Sequence, residues 1–306
     1  QRKPDLFPLL RVLVDSQENK AKFLILGSAS PKLLKQSSES LAGRISYYTL
    51  NGFTLDEIDV KNESQLWIRG GFPRSFLASS EKASIAWRKD FIRTFLERDI
   101  PQLGFNIPAT TLHRFWNMLA HYHGQIWNGS ELGRAFSMSH ASVKRYVDLL
   151  TDALVVLQLK PWYQNMSKRQ VKAPKVYIKD SGILHGLLSI GSLSDLEKHP
   201  KIGASWEGFV LSEILHHLKI EPDNAYFWAT YTGAELDLLV FIDGKPIGFE
   251  IKRTTSPKLT PSIKNSILNL GLEKLYVVHA GDHEFALHEK VNAMPLANIA
   301  NIRYNV

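Results

Sequence analysis

The sequence predicts a multidomain α/β protein, and three observations support this prediction. The chain has 306 residues, which exceeds one ordinary hydrophobic core and fits two or three domains. Strand patterns alternate with helix patterns near both ends of the chain, as is typical of α/β folds. The middle of the chain instead reads mainly as helices. We therefore expect an α/β region (1–60), a helical lid or linker (61–104), a helix-turn-helix region (105–198) and a final α/β region (199–306).

The composition excludes several classes of protein. With 44% apolar and 22% charged residues, the chain has the composition of a globular protein. No apolar run approaches the length that spans a bilayer, so we expect no membrane partner. The absence of cysteine excludes disulfides, zinc ribbons and thiol nucleophiles, and it favours a cytoplasmic location. The net charge of +7 permits nucleic acid as a partner without requiring it.

Residues 1–60 predict a helix followed by strand, helix and strand. The first helix covers 6–14, and the apolar run 22–26 is typical of a short buried strand. A helix at 31–38 and an alternating strand at 45–50 follow. Because the chain begins at Gln1, with a helix starting almost at once, we expect it to be a fragment or truncated product of a larger protein.

The middle of the chain predicts helices and two strands. Residues 54–100 read mainly as helix, interrupted by the turn Gly70-Gly71-Phe72-Pro73, which a helix cannot cross. Further helices are predicted at 109–122, 129–136, 140–152, 180–189 and 193–197, and strands at 154–160 and 174–179.

The helices at 129–136 and 140–152 predict a winged helix-turn-helix. A tight turn at 137–139 separates them, and the second helix directs its apolar residues inward. Its other face presents short polar and basic residues near the N-terminal end, as a recognition helix does. These residues are His140, Ser142, Lys144 and Arg145. The two following strands suit the wing.

Charge also favours DNA as the partner of this region. No acidic residue occurs between Asp152 and Asp180, whereas the basic residues there are Lys160, Lys168, Arg169, Lys172, Lys175 and Lys179. Such a segment could neutralise several phosphates. We predict DNA contacts by Ser142, Lys144, Arg145, Lys168, Arg169 and Lys172. The alternative is a helical packing module with a solvated basic loop.

Residues 235–252 predict a β-hairpin with charged residues on one face. Asp243-Gly244 is a strong signal for a two-residue loop, and that loop pairs Ile242 with Lys245. The same register places Asp237 opposite Glu250 and Glu235 opposite Lys252. We expect these four side chains to share one face. The opposite face would hold Leu236, Leu238, Val240, Ile247, Phe249 and Ile251.

Two facing carboxylates predict a divalent cation. Asp237 and Glu250 repel each other unless a cation lies between them, and oxygen ligands suit Mg²⁺ or Mn²⁺. Lys252 could stabilise the charge that develops on a phosphate under attack. A predicted helix at 205–219 places Glu207 on an apolar side, where a carboxylate needs a partner. The alternative is a polar hairpin face with a Glu235–Lys252 ion pair and no metal.

These residues resemble a known nuclease pattern. Glu207, Asp237 and Glu250-Ile251-Lys252 are similar to the E…D…ExK motif of the PD-(D/E)XK, restriction-endonuclease-like fold. The resemblance implies that Asp237 and Glu250 bind Mg²⁺ and that Lys252 assists phosphodiester hydrolysis. It also implies that Glu207 is the acidic residue on the helix.

The whole chain resembles prokaryotic AAA-type ATPases that end in a domain of unknown function, DUF4143. The matching stretches are 1–7, 26–30, 39–44, 70–73, 96–100 and 233–237. The resemblance implies that 1–60 is the C-terminal half of the ATPase core and 61–104 its helical lid or linker. It further implies that 105–198 is a winged helix and that 199–306 is a nuclease-like DUF4143 domain.

The nucleotide-binding motifs of that family are missing from this sequence. In the family, the Walker B acidic pair precedes the position of Gln1 and the phosphate loop lies further upstream; no G-x-x-x-x-G-K-[ST] motif occurs here. The resemblance implies that Ser28 is a sensor and Arg44 a phosphate-facing arginine, although both could serve local packing alone. We expect ATP to bind only the full-length family pattern, and the missing ATPase segment or a second copy of the chain to be partners.

Three functions remain from the sequence. The first is a DNA-binding, nuclease-like module, whether or not it cleaves, and the second is a protein-interaction module with an inert nuclease-like fold. The third is a nucleotide-binding protein, which is the weakest because the phosphate loop is absent. The basic segment and the acidic hairpin favour the first.

Overall fold

A computed structural model gives the fold of residues 6–16, 20–27, 41, 43–103, 105–163 and 171–302. The α/β class is confirmed, because the described helices pack around a mixed sheet of nine strands. The strands are β1 (Gln125–Ile126), β2 (Val156–Pro161), β3 (Lys175–Ile178), β4 (Ala225–Ala229), β5 (Glu235–Ile242), β6 (Lys245–Lys252), β7 (Lys274–His279), β8 (Phe285–His288) and β9 (Val291–Pro295). Their order in the sheet is β1-β3-β2-β4-β5-β6-β7-β9-β8.

Twelve α-helices occur in the described residues. They are α1 (Leu6–Asp15), α2 (Glu63–Arg69), α3 (Pro73–Phe76), α4 (Glu81–Thr94), α5 (Ile100–Gln102), α6 (Ala109–His121), α7 (Gly129–Phe136), α8 (His140–Asp152), α9 (Ser181–Leu187), α10 (Leu193–Glu197), α11 (Ile202–His217) and α12 (Pro261–Leu270). The interruption predicted near residue 70 is confirmed. Helix α2 ends at Gly70, whose φ of 77° is in the left-handed region, and Pro73 begins α3.

Two strands predicted in the N-terminal region are absent. Residues 22–26 and 45–50 hold no strand, and their apolar side chains face solvent. Leu24, Leu26 and Leu50 are 85%, 83% and 97% exposed. A strand needs a neighbour for its N–H and C=O groups, and no described residue pairs with these segments. The helix predicted at 31–38 lies outside the described residues.

The helices predicted at 109–122, 129–136 and 140–152 are confirmed as α6, α7 and α8. Helix α7 ends at Ser137, which has a left-handed φ of 55°, and Ser139 caps α8 by accepting the N–H of Ser142. Their apolar faces form one core with β2, β3 and α9. Strand β3 lies between β1 and β2 and is antiparallel to both.

The small sheet of this helical region continues into the C-terminal sheet. Strand β2 runs parallel to β4, with Lys160 opposite Tyr226 and Pro161 opposite Phe227. Helix α11 packs on one face of the larger sheet and α12 on the other, so the strands between them are buried on both faces. This packing fixes the positions of the side chains that project from β3, β5 and β6.

The predicted hairpin loop and register are confirmed. Asp243 and Gly244 have φ values of 51° and 74°, and Ile242 pairs with Lys245. The predicted apolar face is wrong in one respect, however. Between the positions opposite Trp228 and Tyr226, strand β5 contains one extra residue, a β-bulge at 237–238. As a result, Leu236 packs on the α12 side of the sheet, whereas Leu238 and Val240 pack on the α11 side.

Candidate functional site

A cluster of carboxylates surrounds one buried ammonium group at the end of the sheet. The ammonium belongs to Lys175, the first residue of β3, which is only 3% exposed. Its Nζ lies 3.0 Å from Glu207 Oε1 on α11 and 3.4 Å from Asp237 Oδ1 on β5. It also forms an ion pair with Glu235 at the start of β5. We call Lys175, Glu207, Glu235, Asp237, Glu250 and Lys252 the acidic cluster.

Lys175 was expected to belong to the solvated basic segment, and the structure places it inside the protein instead. The reason is that all four residues of β3 are buried, so the strand brings its first side chain into the interior. A buried cation beside three carboxylates is strongly favoured over an unpaired one. The one signal in the sequence was the predicted need of Glu207 for a buried partner.

Glu207 has two such partners. In addition to Lys175, the hydroxyl of Tyr177 donates a hydrogen bond of 2.6 Å to Oε1 of Glu207. Burial raises the pKa of Glu207 and the neighbouring charge of Asp237 raises it further, while Lys175 and Tyr177 oppose the shift. Burial lowers the pKa of Lys175, but the interactions with Tyr177 and with the surrounding carboxylates outweigh it and hold the pKa well above its usual value. Lys175 is therefore charged at neutral pH.

Asp237 uses both of its oxygens within the protein. Oδ2 accepts the backbone N–H of Ile251 at 2.8 Å, and Oδ1 faces Lys175. The bulge at 237–238 interrupts the regular alternation of β5 at this residue. The Asp237 carboxylate thus takes a backbone hydrogen bond from the neighbouring strand β6.

Glu250 and Lys252 form a second pair in the acidic cluster. Lys252 Nζ lies 2.7 Å from Glu250 Oε1, whereas Glu250 Oε2 is buried without a hydrogen-bond partner among the described residues. Burial raises the pKa of Glu250 to about 8, helped by repulsion from Asp237 and opposed by Lys252. The alternative Glu235–Lys252 ion pair is wrong, because Lys175 takes Glu235 and Glu250 takes Lys252.

The arrangement of these residues does not fit a bound Mg²⁺ ion. The ammonium of Lys175 fills the position between Glu207, Glu235 and Asp237 that an ion would need. In the part of the chain that the structure describes, no three histidine, aspartate or glutamate side chains are arranged to hold a metal ion. A divalent ion at Asp237 and Glu250 would have to face the Lys175 charge a few ångströms away.

The predicted DNA-contacting residues of α8 lie at the surface. Lys144 and Arg145 are exposed and Ser142 is partly exposed. Lys144 Nζ pairs with Asp148 at 2.8 Å, one helical turn later, and the Ser142 hydroxyl lies 3.0 Å from that of Ser139. Each of these contacts is at the surface, so both basic groups remain accessible to a partner.

We call residues 162–174 the basic loop. Two backbone hydrogen bonds connect its described residues to strand β4. The N–H of Trp162 donates to Phe227 O at 2.7 Å, and the N–H of Val171 donates to Ala229 O at 3.3 Å. Lys172 is exposed, whereas the predicted DNA contacts Lys168 and Arg169 lie outside the described residues. Because Lys175 follows directly, the basic loop borders the acidic cluster.

Ser28 and Arg44, the residues predicted to contact a nucleotide, are distant in sequence from the basic loop and the acidic cluster. Ser28 lies outside the described residues. Arg44 Nε pairs with Asp15 Oδ1 at 2.5 Å, and this hydrogen bond raises the pKa of Arg44 and lowers that of Asp15. Arg44 is therefore engaged by the end of α1, and its role at a phosphate stays a prediction.

Within the described ranges, no helix has both the length and the apolar character needed to cross a membrane.

Comparison with known proteins divides the chain into three matched segments. Residues 1–59 match an AAA domain, and residues 60–194 match a domain of unknown function, DUF8612. Residues 202–299 match another domain of unknown function, DUF4143. The uncharacterized proteins Rv2008c of Mycobacterium tuberculosis and Mb2031c of Mycobacterium bovis are each 51% identical to the chain over 299 residues. These matches cover 98% of the chain and 67% of each relative. No solved structure matches the chain.

Proposed function

The chain belongs to the family of AAA-domain proteins that end in DUF4143, and from this premise we propose that it is the DNA-binding, nuclease-like part of such a protein. DNA would contact the exposed face of α8 and the basic loop. The C-terminal domain would lie next to the bound DNA, and the Lys175 ammonium would neutralise carboxylates of its acidic cluster. ATP hydrolysis is not assigned to this chain.

The observation that carries this proposal is the attachment of the basic loop to the sheet. Backbone hydrogen bonds at Trp162 and Val171 join the described residues on either side of the loop to β4. The whole stretch between Asp152 and Asp180 lacks acidic residues. A positive segment whose two ends are attached to a sheet can contact phosphates with less loss of conformational entropy than a free segment, and each contact adds to a salt-dependent affinity.

The geometry of α7 and α8 supports the same proposal. Two short helices are joined by a tight turn at Ser137, and the second begins at a serine cap with its N-terminal half exposed. Three helices followed by two strands and an intervening loop, with a short strand β1 completing the small sheet, are the parts of a winged helix. In that motif the second helix enters the major groove and the loop contacts the backbone.

Exposed aromatic residues near the basic loop add to the support. Tyr163, in the loop, and Tyr231, in the turn between β4 and β5, both face solvent. Burial raises the pKa of Tyr163, and Tyr231 raises it further. Aromatic side chains beside basic ones are suited to stacking on bases that leave the duplex.

The proposal is tested by fluorescence anisotropy of labelled linear and branched DNA across a salt series. We expect the native chain to bind and the variant Lys144→Ala/Arg145→Ala to bind about tenfold more weakly, with a salt slope smaller by about 1 to 2. Arg93→Ala is the matched control, because Arg93 also forms an exposed pair one helical turn apart, with Glu97 at 3.2 Å, but on α4. Equal binding by the native chain and the α8 variant would reject the proposal.

A second candidate function is an interaction through the N-terminal region. The exposed apolar segments 22–26 and 45–50 belong to the AAA match, and such patches mark interaction sites. We propose that these two segments form β-strands that pair with the phosphate-binding part of an AAA domain. The probe is the part of Rv2008c outside the matched 67%, mixed with the chain and analysed by size-exclusion chromatography. Co-elution lost in Leu24→Asp supports the interaction; separate elution rejects it.

A further inference from the structure

We propose that Lys175 is the resident cation of the acidic cluster and occupies the place where a divalent cation would otherwise bind. This inference rests on the proposed nuclease-like character of the C-terminal domain and names what controls its site. Lys175 would accordingly keep Mg²⁺ and Mn²⁺ out of the native chain. Its removal would create a divalent-cation site from groups that the fold already brings together.

The contacts of Lys175 are those of a bound ion. Its ammonium lies between three carboxylates from two separate elements, Glu207 on α11 and both Glu235 and Asp237 on β5. Tyr177, two residues further along β3, donates a hydrogen bond to the same oxygen of Glu207 and so helps to orient it. Lys175 is buried with these partners, so its position is set by the packing of β3 and not by solvent.

The carboxylates of the cluster outnumber its ammonium groups, so the loss of Lys175 would leave them short of a positive charge. The cluster contains four carboxylates and two ammonium groups, those of Lys175 and Lys252. Glu250 is 4% exposed, and its Oε2 has no hydrogen-bond partner in the described part of the chain. Burial raises the pKa of the Glu250 carboxyl, and the charge of Asp237 raises it further. Once the Lys175 ammonium is removed, the position that it leaves, lined by carboxylate oxygens, would be the kind of environment that Mg²⁺ and Mn²⁺ prefer.

Removing Lys175 changes this environment in a defined way. Lys175→Met keeps an apolar stem of similar length but removes one positive charge. The remaining oxygens of Glu207, Asp237 and Glu235 would then repel one another at short range unless a cation joined them. Mn²⁺ is the better probe because it binds oxygen ligands and is detected by its electron paramagnetic resonance signal.

The experiment is Mn²⁺ titration by calorimetry, with free Mn²⁺ checked by paramagnetic resonance. We expect no detectable Mn²⁺ binding at the cluster of the native chain and clear binding by Lys175→Met, a difference in affinity of at least about tenfold, because the nearby like charge is gone. Binding should be lost again in Lys175→Met/Asp237→Asn. Lys160→Met is the matched control, since Lys160 pairs with Asp223 at the surface, and it should behave like the native chain.

Two results would overturn the inference. One is native-chain binding of Mn²⁺ that Asp237→Asn abolishes, because the lysine would then not exclude the ion. The other is a folded Lys175→Met protein that binds no Mn²⁺. If Lys175→Met does not fold, Lys175→Met/Glu235→Gln removes one carboxylate as well and undergoes the same titration with the same expected binding. Failure of DNA binding in the anisotropy experiment would reject the proposed function without changing any of these outcomes.

Discussion

The acidic cluster and the outer face of α8 both contain several charged side chains, but the central charge is buried in the cluster, whereas the basic groups are exposed on α8. In the cluster, Lys175 is buried and contacts three carboxylates. On α8, Lys144 and Arg145 are exposed, and Lys144 has a surface contact with Asp148. A buried charge without a partner is costly, so the fold neutralises the first region internally. The second region is left with charges that can meet an outside partner.

This difference predicts opposite responses to mutation in the two regions. Substitutions in the acidic cluster should change the free energy of unfolding, because they leave a buried charge unpaired. Substitutions on α8 should change DNA affinity and leave stability nearly unaltered.

The largest effect is expected for Lys175→Met. Removing one partner of a buried ionic group should lower the free energy of unfolding by about 3–5 kcal/mol. Urea denaturation followed by tryptophan fluorescence measures this loss. Lys160→Met removes an exposed ion pair with Asp223 and should cost at most about 1 kcal/mol. Equal losses in the two variants would contradict the distinction between buried and solvated charges.

An intermediate effect, dependent on pH, is expected for Glu213→Gln. Glu213 is buried on α11, where Oε2 accepts the N–H of Leu55 at 2.8 Å, and burial raises its pKa to about 8. Because the folded pKa lies above the unfolded value, the native chain should lose stability as the pH rises from about 4.5 to about 8. The glutamine variant should not show this loss, which amounts to roughly 3–4 kcal/mol between about pH 5 and about pH 8.

Urea denaturation at about pH 5 and about pH 8 gives the free energies of unfolding that test this prediction. The native chain and Glu213→Gln should differ more at the higher pH, with the variant the more stable. Glu289, which is exposed, provides the control Glu289→Gln, and this substitution should leave the pH dependence unchanged. Parallel curves for the native chain and Glu213→Gln would show that the Glu213 carboxyl does not govern the pH response.

The smallest effect on stability is expected for Lys144→Ala/Arg145→Ala. Both side chains are exposed, so the free energy of unfolding should change by no more than about 0.5 kcal/mol. The measurement is the same urea denaturation, run on the sample used for DNA binding. A loss as large as that of Lys175→Met would mean that these residues stabilise the fold, and the lower DNA affinity of the variant would then have a trivial cause.

The comparison also explains which features the sequence could predict. Periodicity and caps gave α6, α7 and α8 almost to the residue, and Asp243-Gly244 gave the register of the hairpin. These features depend on residues close together in the chain. The partner of Glu207 could not be predicted, because Lys175 reaches it through the pairing of strands distant in sequence.

Two further failures have the same origin. The bulge at 237–238 depends on how β4 and β5 pair, and an alternating pattern alone gives no sign of it. The strand patterns at 22–26 and 45–50 are local, but a strand forms only when a neighbour completes its hydrogen bonds, and no described residue does so. Local signals therefore predict which segments could form an element, whereas tertiary pairing decides whether they do and which charges become internal.

The most direct test of the account is lysine modification of the native chain, read out residue by residue by mass spectrometry with and without DNA. We predict that Lys144 and Lys172 react readily with an amine reagent and become protected when DNA is added. Lys175 should stay unreactive in both conditions, because its ammonium is buried among carboxylates. Rapid modification of Lys175, or unchanged reactivity of Lys144 and Lys172 on saturation with DNA, would contradict the division between internal and partner-facing charges.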